Sequence, residues 1–225
     1  FVSHLSSLLT TKSSLYADGL KFCGNPTHAH QTLQTNINRQ SYWNAVWKMS
    51  INADNCVVLH LASNIPMCAY HLDGIVLKLI SSYVDFGIKI TSDLSWSSYI
   101  TSICKKAKST LFLLSNSFTH SPATFTKFYT LYVRPILEYG GPVWSVEYVR
   151  DRNMLESVQR YATRIPYDRT RSPYEARFRM SKLTTFEDRR HRGDLIFCFR
   201  VLHNHFTVEL SRLFSLNTDA RLRRH

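Results

Sequence analysis

The apolar positions of the chain recur with two different periods, and the change from one to the other divides it. Residues 13–23, reading SSLYADGLKFC, predict two short strands about a tight turn at Ala17-Asp18-Gly19, since Asp and Gly tolerate the positive φ such turns demand. From about residue 28 to 47 the apolar positions Leu33, Ile37, Trp43 and Trp47 return near the helical period and predict an amphipathic helix. A strand follows at 57–61, then YHLDGIVL at 70–77 places Asp73-Gly74 between apolar flanks as a hairpin, and 83–90 reads as one more strand. Beyond Asp93 no period-2 run remains. Ile100, Ile103, Ala107, Leu111 and Leu114 form one stripe of a helix over roughly 97–116, with Lys105, Lys106 and Lys108 on its opposite side. Ser121-Pro122 starts another helix with an aromatic stripe of Phe125, Phe128, Tyr129 and Tyr132, and Arg134-Pro135 predicts its stop or kink. Gly140-Gly141-Pro142 breaks the chain again.

Three more helices close the pattern. Asp151 predicts the cap of a helix through about Arg164, with Leu155, Val158, Ala162 and Ile165 inward. Ser172-Pro173-Tyr174-Glu175 reads as a capping box with Pro at the first helical position. The last helix spans about 186–203, with Leu195, Ile196, Phe199 and Leu202 as its apolar side and Arg189, Arg190 and Arg192 in its first turns. The expected fold class is therefore α+β: a mixed part over 1–92 with β-hairpins and one amphipathic helix, then an all-helical part over 93–225.

Composition narrows the function classes. With 44% hydrophobic residues over 225, the chain carries enough apolar surface for a core, which excludes a wholly disordered protein. No apolar stretch approaches the roughly 18 residues of a membrane span. The five Cys, at 23, 56, 68, 104 and 198, never form a C-x-x-C pair, so a disulfide framework or cysteine zinc site is not indicated and a reducing, intracellular compartment is expected. No basic and apolar leader is visible, and a chain opening on Phe1 reads as an excerpt or truncated reading frame. The charge is asymmetric. Six Lys/Arg stand against five Asp/Glu up to residue 104 and 22 against 11 from 105 on, so +11 of the net +12 lies C-terminal to residue 104. Such an excess favours a polyanionic partner, because each cation placed on a phosphate releases condensed counterions.

An Asp at a hairpin tip suits divalent-ion chemistry, in which carboxylates converge on two ions, although an Asp-Gly dipeptide read alone is ordinarily just a turn. The surrounding order of motifs changes that weighting. LYADGLKF at 15–22 is similar to the Y-A-D-D hairpin of reverse transcriptases, and WNAVWKMSIN at 43–52 with Cys56 is similar to their W-x-x-x-W-x-M-x-x-N-x-x-K-C segment. YHLDG at 70–74 followed by VDFGI at 84–88 resembles the approach to the thumb, usually K-D-L-G-V. LYVRPILEYGGPVW at 131–144, LESVQRYATR at 155–164 and LTTFEDRRHRGDL at 183–195 resemble the region after the polymerase domain. In order and over nearly its whole length, the chain resembles the C-terminal palm, thumb and connector of a jockey-like, non-LTR retrotransposon reverse transcriptase.

The resemblance implies a fragment of an RNA-directed DNA polymerase. Asp18 then matches a metal-binding carboxylate, Tyr16 the residue lining the primer side, and Mg2+ the cofactor. Three departures predict that this chain alone does not polymerise. Gly19 replaces the second acid, Asn55 stands where the family has Lys before Cys56, and the fingers and upstream palm would precede residue 1. The expected residual role is holding a primer–template of RNA and DNA. Lys105, Lys106 and Lys108 match the first thumb helix and are expected to follow duplex phosphates. Arg160, Arg164, Arg189, Arg190 and Arg192 form a second candidate face, with Glu187, Asp188 and Asp194 near enough to neutralise part of it. Two other readings stay open: a helical protein-interaction module whose aromatic stripe docks a partner, and a decayed gene product without a role. The i, i+2 pairs His28/His30 and His203/His205 point their rings apart on a helix and predict no metal site.

Overall fold

A computed structural model describes residues 9–16, 19–62, 65–117, 121–167, 172–203 and 205–206, the side chains of Pro26 and Thr27 excepted. The fold is of the α+β class, in two compact units, Phe1–Ser95 and Trp96–His225.

The first unit is built from short strand pairs and one long helix. Strands β1 (Lys12–Tyr16) and β2 (Gly19–Cys23) pair antiparallel, with Tyr16 opposite Gly19. Helix α1 (Pro26–Val46) follows, and β3 (Val57–Leu59) comes after it. Then β4 (His71–Leu72) and β5 (Ile75–Val76) close the expected hairpin, with Asp73 at φ 50° and Gly74 at φ 80° supplying the two left-handed residues of the turn. Strand β6 (Lys78–Ile80) pairs parallel with β3, a partnership no local turn could have announced. Where the sequence predicts one strand over 83–90, the chain instead forms a second hairpin, β7 (Ser82–Asp85) and β8 (Ile88–Thr91), turning at Phe86 (φ 47°) and Gly87 (φ 80°). The glycine makes the turn feasible, and Phe86 takes a backbone region that bulky residues seldom occupy.

Two-stranded sheets are marginal by themselves, and helix α1 supports the β4–β5 hairpin and the approach to β1. Leu33 and Trp43 are buried, while Trp47, expected on the same stripe, lies 44% exposed past the end of the helix. Polar side chains do much of the joining. The amide of Gln34 reads the backbone of His71 in both directions, donating to its carbonyl at 2.7 Å and accepting from its N–H at 2.9 Å. Fully buried Asn36 accepts from the Thr10 N–H and donates to the Thr11 hydroxyl at 2.8 Å, which fixes the approach to β1. Each amide replaces water lost on burial with a protein partner.

The second unit contains helices and no strand among its described residues. Helix α2 (Ser97–Ser117) buries Ile100, Ile103, Ala107 and Leu111 as expected, with Cys104 beside them. Helix α3 (Pro122–Phe128) starts at Ser121, whose side chain makes no capping bond. The Arg134-Pro135 pair neither stops nor breaks the run. A π-turn at Tyr129–Val133 leads directly into α4 (Arg134–Glu138), and the Arg134 N–H reaches back to the Tyr129 carbonyl. The wider turn relieves the clash a proline ring makes with the carbonyl four residues earlier. Phe125, Tyr129, Val133 and Leu137 are all buried by this arrangement, while Tyr132 is 57% exposed rather than part of the core stripe.

After Gly140, left-handed at φ 66°, a short 3-10 turn leads to buried Trp144. Helix α5 (Val149–Tyr167) packs along α2 with Leu155, Val158 and Ala162 inward. Asp151 is not its cap. It is buried within the first turn, where its carboxylate accepts from the Ser97 hydroxyl at the start of α2 and from Arg150 Nε at 3.3 Å. Helix α6 (Tyr174–Met180) begins after Pro173 without a side-chain cap, so the expected capping box does not form; the Ser172 carbonyl accepts from Arg177 instead. Helix α7 (Phe186–Leu202) is capped by Thr185, which accepts from the Asp188 N–H at 3.1 Å. Its buried residues are Phe186 and Val201, whereas Leu195, Ile196, Phe199 and Leu202, expected inward, are between 42% and 60% exposed. Among the described residues no helix is long and apolar enough to cross a membrane.

Candidate nucleic-acid interface

The hairpin that carries the expected catalytic pair is formed, but Asp18 lies outside the described residues. Tyr16, at the last paired position, is 67% exposed and meets Phe86 edge-on at 4.8 Å. Lys21 of β2 forms an ion pair with Asp85 and sets its ammonium 4.6 Å from the Phe86 ring centroid, so the hairpins β1–β2 and β7–β8 are tied together. The Asp85 carboxylate is thereby committed to a cation. Among the described residues no three His, Cys, Asp or Glu side chains converge as a metal-holding group.

The lysine face is better defined. Burial of one side of α2 leaves Lys105, Lys106 and Lys108 exposed on the other, and none of the three forms an ion pair among the described residues. Between α2 and α5 runs an open groove of about 680 Å³, its rim set by Lys105 and Lys108 and its apolar lining by Cys104, Phe112, Leu113 and Met154. Phe112 and Leu113 are 59% and 64% exposed. Lysines are free to reach outward here because the helix's packing is complete on its other side.

The five candidate arginines do not make one surface. Arg160 is exposed on α5, with its guanidinium carbon 5.0 Å from the Tyr174 ring centroid, and Arg164 is exposed one turn further on. Arg189 forks onto Glu138, with Nη2 to Oε2 at 2.8 Å, and this partner holds its pKa above the usual guanidinium value. Arg190 donates to the Trp144 carbonyl and lies 4.1 Å above that indole, and burial lowers its pKa. Both guanidiniums are engaged in holding α7 to the rest of the unit. Arg192 is exposed and lines a second groove of about 430 Å³ with Leu195, Ile196, Phe199, Arg200 and His205. Sequence reasoning does not anticipate the pairing of Arg177 with Tyr174 on α6. Its only signal is the i, i+3 spacing of an aromatic and a guanidinium.

Cys104 borders the groove but does not supply a nucleophile. Burial pushes its thiol up to about 11, with Lys108 pulling the other way and Asp151 adding to the rise. The folded state therefore holds this proton to higher pH than the unfolded chain, whose thiol sits near 9.0. Its stabilising contribution is complete below pH 9 and is lost as pH rises toward 11. Tyr129 and Tyr174 are raised by burial in the same direction. Urea midpoints measured over this range should fall with pH, and Cys104→Ala should make the fall shallower. Under native conditions iodoacetamide should label exposed Cys23 well before Cys104.

No protein-family model, curated protein or solved structure matches the chain.

Proposed function

We propose that the chain is the palm end and thumb of a non-LTR-type reverse transcriptase, and that what it does unaided is hold a duplex on the lysine face of α2. Three cations on one exposed helix face, none paired with an acid among the described residues, carry this reading. Cations spaced along a helix suit a phosphate backbone, and the charge excess of the helical part supports the same partner. Nucleotide addition is not part of the proposal, because Gly19 occupies the place of the second acid in the resemblance.

An RNA–DNA hybrid is the test ligand. Its affinity should fall steeply with salt, and Lys105→Ala/Lys106→Ala/Lys108→Ala should make the log–log slope shallower by about 2–3, near 0.9 for each phosphate no longer neutralised. Affinity that is flat in salt, or unchanged in the triple variant, overturns the reading. The apolar side of α7 favours a second reading, a protein-docking module, because Leu195, Ile196, Phe199 and Leu202 lie exposed together. A complex formed there would survive removal of the three lysines.

A further inference from the structure

We propose that Arg160 and Arg177, gathered on the ring of Tyr174, form a phosphate-binding clamp on the second unit, separate from the lysines of α2. Their guanidinium carbons lie 5.0 and 5.9 Å from the same ring centroid, so the two cations are no more than about 11 Å apart. The ring is a fixed platform. Its hydroxyl donates to Glu156, and Phe178 packs against it at 5.5 Å.

The acid beside this ring is already in use. Glu156 Oε1 accepts from the Tyr174 hydroxyl and from Gln159 at 3.3 Å, and its Oε2 from the Phe186 N–H at 3.5 Å. Neither Arg160 nor Arg177 forms an ion pair among the described residues. Arg177 is further distinguished by how its donors are spent. Nη1 is anchored on the Ser172 carbonyl, whereas the Nε–H is buried and has no acceptor among the described residues. The edge left over, Nε with Nη2, is the one by which a guanidinium grips an oxyanion with two parallel hydrogen bonds. A buried donor without an acceptor is costly, and an oxyanion oxygen on this edge removes the cost. Exposed Arg160 is free to close from the solvent side.

The number of oxygens selects the ligand class. A carboxylate is used up by one fork, while a phosphate group with three or more oxygens accepts from two guanidiniums at once. The ligand is therefore a phosphate-bearing compound, and the two sources to separate are free pyrophosphate and the 5′-phosphate end of a nucleic acid. The clamp does not depend on the lysine face, and its test is arranged accordingly.

The test titrates the full chain with pyrophosphate at constant ionic strength, following the arginine Nε–Hε resonances by NMR. The Arg177 signal should shift and saturate, the Glu138-bound Arg189 signal should stay still, and Arg160→Gln should weaken binding about tenfold while Arg160→Lys restores part of it. Arg160 is exposed, so its replacement does not put folding at risk. Arg177→Gln should abolish the saturable response, with the unchanged Arg189 signal reporting an intact unit. A 5′-phosphorylated oligonucleotide that competes where its 5′-hydroxyl twin does not assigns the site to nucleic-acid ends; competition by neither assigns it to the free anion. The triple lysine variant should leave the titration unaltered. A shift that merely tracks ionic strength, or equal affinity in Arg160→Gln, overturns the proposal.

Discussion

Trp144→Ala should lower the melting temperature of the helical unit by roughly 10–15 °C, the consequence of losing about 3–5 kcal/mol from a fully packed indole. Trp144 is 2% exposed and is gripped on several sides. The Tyr99 ring meets it edge-on at 5.4 Å, the Arg190 guanidinium covers it at 4.1 Å, and its Nε1–H donates to the Tyr139 carbonyl at 2.9 Å. Truncation leaves a cavity beneath a half-buried cation and removes the donor from that carbonyl, so relaxation cannot recover the loss. Trp144→Phe keeps an aromatic face for Arg190 but drops the hydrogen bond, and a loss of about 1–2 kcal/mol is expected. Thermal melts followed by far-UV circular dichroism check both. Equal stability in the alanine variant would mean that the packing around the indole does not hold α7 in place.

Gln159→Leu is the second large effect. The Gln159 side chain is completely buried on α5, where Oε1 accepts from the Tyr129 hydroxyl at 2.9 Å and Nε2 donates to the Thr184 carbonyl at 3.2 Å. One amide thereby connects the π-turn, α5 and the approach to α7. Leucine is close in volume, so the change removes partners rather than packing. The buried Tyr129 hydroxyl, the Thr184 carbonyl and Glu156 Oε1 each lose a partner, and the buried hydroxyl sets the expected cost at about 1–3 kcal/mol in a urea denaturation series. Adding Tyr129→Phe should return part of that, because the hydroxyl left without an acceptor is gone as well. Strictly additive losses in the double variant would argue that the Tyr129–Gln159 bond contributes nothing to the folded state.

Much of the fold could be read from periodicity because its elements announce themselves locally. The stripe from Ile100 to Leu111 on α2 is buried, and the Asp73-Gly74 turn has the two left-handed residues its dipeptide suggests. What stayed hidden has non-local causes. Phe86 is not a residue from which a turn is read, so two strands looked like one. The apolar side of α7 faces out because its opposite side is fixed by Arg189 on Glu138 and Arg190 on Trp144, partners 51 and 46 residues away. Asp151 looked like a cap at the start of a helical pattern, but its partner is Ser97, 54 residues earlier.

The candidate site divides in the same way. The lysine face of α2 could be found because it is the complement of an apolar stripe. Whether an arginine is spent internally or left outward depends on which acid or carbonyl the fold brings beside it. Spacing alone therefore could not separate Arg189 and Arg190 from Arg160 and Arg192. Nor could it bring Arg177, 17 residues beyond Arg160, to the same tyrosine ring.

The π-turn at Tyr129–Val133 bears on chain length. In an uninterrupted α-helix, residues repeating every fourth place drift by about 40° at each step, and the side chains of Phe125, Tyr129, Val133 and Leu137 would spiral off the buried side. The wide turn takes up one surplus residue and cancels most of that rotation. It works as a slack loop in the helical thread: removing a residue from the turn tightens it to ordinary winding, whereas removing one from α3 or α4 rotates every later side chain by about 100°.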